Sequence, residues 1–181
     1  MISKYSKKIV PLWSCILYPI FVSADLLTTY FATPDLRYEG NPIICYFQWK
    51  WTGILLWNSL IIIGSIFLVF ISNKYSMKYL KKEFNNKYLF IVFCLVFICF
   101  YAHFVALIYT IPSNYLMYLY LNLKTDTLLY NFALNFVNFA FRKGVSFYLL
   151  TLYSMSLLIG ILITIYRINH IKQYVQVTFP T

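Results

Sequence analysis

Chemistry in this chain is confined to a few polar residues set in long apolar runs. Asp25 ends the run IVPLWSCILYPIFVSAD, and Thr28 and Thr29 follow one turn later. His103 lies inside LVFICFYAHFVALIYT, and Asn58 lies inside WTGILLWNSLIIIGS. An ionisable side chain in such surroundings is costly and marks a functional position by default. The chain has five acidic residues, and three of them, Asp25, Asp35 and Glu39, fall in the single stretch DLLTTYFATPDLRYEGNP. Asp25 and His103, with Glu39 folding down from the loop, could form an acid–base pair. They could also form a mixed carboxylate–imidazole metal site of the kind zinc and manganese favour, the metal itself being unknown. The same residues could pass protons or ions, with Asn131, Asn135 and Asn138 as an outer polar lining. They could instead form a hydrogen-bonded Asp–His–Asn network that fixes the register of neighbouring helices. There is no HExxH or HxxxD spacing. The catalytic constellation is thus incomplete, no cofactor is implied, and a non-enzymatic role is favoured.

For these side chains to meet, they must share a depth. Asp25 stands 17 residues beyond Lys8, and His103 stands 16 residues beyond Lys87. At 1.5 Å per helical residue, both lie about 25 Å from a basic flank. Asn58 is 7 residues past Trp51 and so descends about 10 Å from the opposite side. The expected intramembrane polar cluster is therefore Asp25, Thr28, Thr29, Asn58 and His103 in one layer.

The elements that position these residues follow from composition. Hydrophobic residues make up 61% of the 181 positions and charged residues 11%, against about 25% charged in soluble proteins. Lipid is the natural solvent for such a chain. Apolar runs near the ~20 residues of a span cover about 9–32, 52–72, 88–111 and 145–166. They must be helical, because lipid offers no partner to an unpaired backbone group. The piece YLMYLYLNL is too short to span. Thr127, Asn131, Asn135, Asn138 and Arg142 recur at spacings of 4, 4, 3 and 4, the polar stripe of an amphipathic helix over about 126–142. Such a helix is expected on the outer interface. No proline occurs between Pro112 and Pro180, so a helix continuing through Gly144 into the last span is the alternative. The fold class expected is an all-α integral membrane protein. Its single domain has four transmembrane helices plus an outer amphipathic helix.

Charge sets the orientation. The net charge is +10. Lys4, Lys7 and Lys8 precede the first span, while Lys74, Lys78, Lys81, Lys82 and Lys87 lie between the second and third. Arg167 and Lys172 follow the fourth. The positive-inside rule then places both termini in the cytoplasm. Trp49, Trp51 and Trp57 read as an anchor at the outer interface. The chain has no Arg-rich tract and no aromatic RNA-binding signature, so direct nucleic-acid binding is not expected. The basic start and first apolar run are like a signal peptide. No small-residue cleavage site precedes Asp25, and the run is long enough to span, so a retained first helix is expected. Cys15, Cys45, Cys94 and Cys99 form no close CxxC pair, which argues against a disulfide framework or zinc ribbon.

The outer-loop residues Asp35, Glu39 and Asn41 have a local explanation. Thr33-Pro34-Asp35 ends a helix, because proline restricts the residue before it. In Glu39-Gly40-Asn41-Pro42, Asn suits an N-cap, Pro suits the first helical position, and Glu39 lies near the positive end of the helix to follow. The order Asp25, Thr28 or Thr29, Glu39, Asn41 and Pro42 resembles a group of small polytopic prokaryotic membrane proteins of unknown function with a D…T…E-x-N-P motif. That resemblance covers the first quarter of the chain and implies topology rather than activity. The chain is also similar in general build, with its Lys, Asn, Ile, Phe and Tyr bias, to the membrane subunit of the Kiwa antiphage defence system. These resemblances imply a bacterial cytoplasmic membrane and a place in antiphage defence.

The function expected is a sensor or scaffold subunit that oligomerises and engages a cytoplasmic protein partner. Ion or proton transport and intramembrane metal-dependent hydrolysis are the alternatives. The lysines between the second and third spans are expected to meet anionic membrane lipid, at about 1 kcal/mol per basic residue near the surface. An acidic cytoplasmic partner is the sharper reading of the same residues.

Overall fold

The computed structural model describes residues 6–36, 46–123, 127–142 and 144–178. They form helices α1 (Ser6–Ala32), α2 (Trp51–Leu80), α3 (Lys87–Asn122), α4 (Leu128–Phe141) and α5 (Val145–Thr178), with no strand among the described residues. α1, α2, α3 and α5 carry the four segments long and apolar enough to cross a membrane. The chain is an all-α, multi-pass membrane protein.

Local sequence explains the helix ends. α1 stops at Ala32, where Thr33-Pro34 disfavours another helical turn. The Thr29 carbonyl accepts from both the Thr33 backbone N–H at 2.8 Å and the Thr33 hydroxyl at 3.2 Å. Trp51 opens α2 and ties it to the end of α1, its indole Nε1 donating to the Pro34 carbonyl at 2.7 Å. Asn86 caps α3 by accepting from the Leu89 N–H at 3.0 Å, and Thr127 caps α4 by accepting from the Tyr130 N–H at 3.1 Å. Gly144, at φ +93°, takes the turn between α4 and α5 in a conformation that side chains resist. α4 and α5 are thus separate helices, and the continuous alternative does not hold.

The third span continues beyond its expected limit near residue 111: YLMYLYLNL, too short to span by itself, supplies the last turns of α3, which runs through Pro112 to Asn122. Proline removes one intrahelical hydrogen bond. Polar side chains beside it bond back to the helix: Thr110 Oγ1 donates to the Leu107 carbonyl at 3.4 Å and Ser113 Oγ to the Tyr109 carbonyl at 2.8 Å. α2 and α5 likewise outrun their apolar cores, to Leu80 and Thr178.

α3 is the central helix, touching α1, α2, α4 and α5. Tyr18, Val22, Val69, Phe97, Phe100, Tyr101 and Leu107 form the core around it. α1 and α3 run parallel in fixed register: the contacts Tyr18–His103 and Thr29–Asn114 share one sequence separation, 85. α2 runs antiparallel to α3, with Tyr75 stacked on Phe93 at 5.3 Å and Tyr79 on Phe90 at 4.3 Å. α5 also runs antiparallel to α3, and Gly160 lets the two backbones meet. A Cβ at that position would fall 2.8 Å from the Ala102 nitrogen and 2.9 Å from the Ile98 oxygen.

The packing is inverted relative to a water-soluble bundle. Ser72, Ser76, Ser156 and Thr164 are buried, while Leu56, Ile63, Phe67, Leu150 and Leu162 face outward. Small polar residues permit close helix approach, and large apolar ones suit lipid. The bundle therefore has a tryptophan end, at Ala32 and Trp51, and a lysine end, at the α2–α3 turn.

Candidate functional site

The α1–α3 seam is joined by polar contacts at two levels. Tyr18, Val22, Asp25, Thr29 and Ala32 are spaced by 4, 3, 4 and 3, which places them on one face of α1. His103, Leu107, Thr110 and Asn114 repeat that pattern on α3. Near the middle of the seam the fully buried Tyr18 places its hydroxyl 2.6 Å from His103 Nδ1. Toward the tryptophan end, Asn114 Nδ2 donates to Thr29 Oγ1 at 2.8 Å and to Asp25 Oδ1 at 3.2 Å. Next to it, Ser113 Oγ lies 2.6 Å from the Tyr148 hydroxyl and joins α3 to α5.

The expected single polar layer is therefore divided. Asp25 meets Asn114, and His103 meets Tyr18, which stands seven residues before Asp25 on the same face. Asp25 and His103 are separated by about two helical turns, roughly 10 Å along the axis. The error lies in counting from the basic flanks. The offset of 85 sets Lys8 level with Phe93 rather than with Lys87. α3 thus reaches about 9 Å further toward the lysine end than Lys8 does. Asn58 does not join either group; its Nδ2 donates to the Ile54 carbonyl of its own helix at 2.9 Å. Thr28 also bonds locally, to the Ala24 and Asp25 carbonyls at 2.9 and 3.0 Å.

Arg167 was not among the expected site residues, yet among the described residues it holds the most buried charge. It is 7% exposed, although its sequence position marks it as part of the cationic flank of the last span. Its Nη2 donates to Asn73 Oδ1 at 2.8 Å, and its Nη1 donates to the Tyr101 hydroxyl. The guanidinium carbon lies 4.4 Å from the Phe97 ring centroid and 5.9 Å from that of Tyr101. Helical side chains lean toward their own N-terminus. On α5 that direction leads away from the lysine end and into the bundle, where α3 offers ring faces. Those partners are neutral. Stacking on aromatic faces and charge-assisted hydrogen bonds offset the cost of burying the guanidinium.

The lysine end presents a closed hairpin. Backbone N–H groups of Lys81, Lys82 and Glu83 donate to the Met77, Tyr79 and Lys78 carbonyls at 3.1, 3.0 and 3.0 Å. Lys82 turns the chain at φ +61°. Besides the Tyr75–Phe93 and Tyr79–Phe90 stacks, Tyr75 packs edge-on against Phe84 at 5.9 Å. Lys74, Lys78, Lys82 and Lys87 are exposed and Lys81 is half-buried. Lys78 Nζ lies 5.8 Å from the Tyr75 ring centroid, and Lys81 Nζ reaches the Glu83 carboxylate at 3.8 Å. The five lysines are thus held on a braced element.

The remaining expected residues contribute less. Asp35 is exposed in the turn after α1. Glu39 and Asn41 lie outside the described residues, as does Cys45. Cys15, Cys94 and Cys99 are free thiols. Among the described residues no three His, Cys, Asp or Glu side chains gather as a metal site would need. In α4 the stripe Thr127, Asn131, Asn135, Asn138 and Arg142 is exposed, and Ala133 and Ala140 pack inward, as the spacing requires. Compared with protein-family models, curated proteins and solved structures, the chain matches none.

Proposed function

We propose that the protein is a non-enzymatic membrane scaffold that docks an acidic cytoplasmic protein on its α2–α3 hairpin. The observation that carries this reading is the rigidity of that hairpin. Two aromatic stacks and the closing backbone hydrogen bonds brace the backbone that carries five lysines, and the Glu83 carboxylate among them lies 3.8 Å from Lys81 Nζ. A fixed array of one sign steers and orients an acidic partner better than a mobile tail. Positive-inside bias supports a cytoplasmic position for this end, and with it cytoplasmic termini in a bacterial inner membrane. The interior contacts support a structural rather than a chemical role for the bundle. Pairs such as Tyr18–His103 and Asn114–Thr29 hold helix register, and a metal or acid–base site built on Asp25 and His103 would need them at one level.

A scaffold of this kind suits a subunit of a larger assembly, which is the division of labour implied by the similarity in build to the Kiwa membrane subunit. The test is quantitative co-purification from native membranes in mild detergent. Reversing Lys78, Lys81 and Lys82 to Glu should abolish recovery of the acidic partner at low salt, and raised salt should do the same to wild type. Unchanged recovery in the reversed variant would sink the docking role.

A further inference from the structure

We propose that the recess between α1 and α3 at the tryptophan end binds the ammonium headgroup of a zwitterionic phospholipid. This site is independent of the hairpin. The recess holds about 190 Å³ and is lined by Thr28, Phe31, Tyr115 and Tyr118. Its walls are aromatic. Phe31 and Tyr118 sit 6.1 Å apart in a tilted pair, and Tyr115 and Tyr118 stack at 6.3 Å with 27° between their planes. Aromatic rings attract a cation through their negative π-faces.

A carboxylate stands beside them. Asn114, the residue before Tyr115 and one turn before Tyr118, holds Asp25 Oδ1 at 3.2 Å. The Thr28 hydroxyl at the recess donates to the Asp25 carbonyl at 3.0 Å. Asp25 is therefore about one helical turn from the recess, in surroundings where charge interactions are weakly screened.

Depth points to a lipid. Phe31 is one residue from the end of α1, and the Trp51–Pro34 hydrogen bond closes the bundle just above it. Trp and Tyr gather where membrane meets water, at headgroup level. An ethanolamine headgroup brings an ammonium there; a phosphatidylglycerol headgroup of the same chain length does not. Aromatic faces and a carboxylate favour the first and penalise the second, so the recess selects by charge. The neighbouring groove lined by Ser23, Leu26, Leu27, Tyr30, Trp51 and Leu55, about 370 Å³ in volume, has two aromatic lining residues against the recess's three.

Native mass spectrometry of the delipidated full chain, titrated with phosphatidylethanolamine or phosphatidylglycerol of identical acyl chains, tests this. Wild type should prefer the ethanolamine lipid by about fivefold, the discrimination expected of one cation–π contact. Tyr115→Leu with Tyr118→Leu keeps apolar bulk at exposed Tyr115 and half-buried Tyr118 and should remove that preference while the variant still unfolds cooperatively; Asp25→Asn should reduce it. Glycerophosphoethanolamine at equal concentration should fail to displace the lipid. Equal binding of the two lipids, or a preference that survives both the paired tyrosine change and Asp25→Asn, would overturn the site. Displacement by the soluble headgroup would overturn its assignment to a lipid.

Discussion

Tyr18 and His103 meet across the α1–α3 seam at 2.6 Å, and Thr29 and Asn114 repeat their separation of 85 one level nearer the tryptophan end. Two parallel helices that keep one offset over both contacts are locked against sliding. Interhelical polar contacts in membranes average about 0.6 kcal/mol and reach about 1.7. Tyr18→Phe removes a buried hydroxyl and leaves His103 Nδ1 without it. We expect a loss of about 1–2 kcal/mol, read as a lowered unfolding temperature in detergent. A double-mutant cycle with His103→Ala should show coupling of that order, and additive effects would contradict the contact.

The register also makes a prediction about distance. In a background with Cys15, Cys45, Cys94 and Cys99 replaced by Ala, Thr29→Cys with Asn114→Cys should be joined by a short bifunctional thiol crosslinker, since the native side chains touch at 2.8 Å. Asp25→Cys with His103→Cys should not, because their backbones stand about two turns apart. The reverse result on a gel would restore the single polar layer and refute the offset.

Gly160 and Gly64 should behave oppositely although both lie inside long helices. Ala at 160 would drive a Cβ to within 2.9 Å of the α3 backbone at Ala102 and Ile98. Backbone cannot yield as a side-chain tip can, so we expect a loss of about 1–3 kcal/mol. Gly64 has nothing within 4 Å of the same construction, and Ala there should be neutral or gain up to about 1 kcal/mol of helix propensity. Thermal unfolding of the two variants side by side decides this; equal effects would contradict the close α3–α5 approach.

Arg167 gives the fourth prediction. Arg167→Lys keeps a charge but loses the planar fork that serves Asn73, Tyr101 and the Phe97 ring together. A buried, poorly partnered ammonium should destabilise by roughly 3 kcal/mol. Arg167→Met removes the charge as well and should be milder. Should the lysine variant prove as stable as wild type, the guanidinium geometry would not matter and the buried cation would be no anchor.

These residues also show how much the sequence discloses. Long apolar runs and basic flanks are one-dimensional signals, and they fixed the four spans and the polar stripe of α4. The helix stop at Thr33-Pro34 was equally plain, because proline acts on its own neighbour. Asn114 was hidden because the segment after Pro112 looked too short to matter, when it is the continuation of α3. Tyr18 was hidden among 18 tyrosines, since nothing in a sequence says which phenol points inward. Arg167 was misplaced because flank counting treats every cation as solvent-seeking. Its direction is set by the lean of side chains along an antiparallel helix, and that requires knowing which helix lies alongside. Asp25 and His103 were set level by the same counting, which cannot see an axial offset between helices.

The central claim is that the lysine end is a docking surface. Its most direct measurement is site-specific photocrosslinking in living cells, with the probe at Asn85 in the hairpin turn and, as control, at Tyr30 near the tryptophan end. A discrete protein adduct is expected from Asn85 that disappears when Lys78, Lys81 and Lys82 are reversed to Glu, with none of the same mass from Tyr30. An Asn85 probe that yields only lipid adducts, or a protein adduct indifferent to the charge reversal, would contradict the docking role.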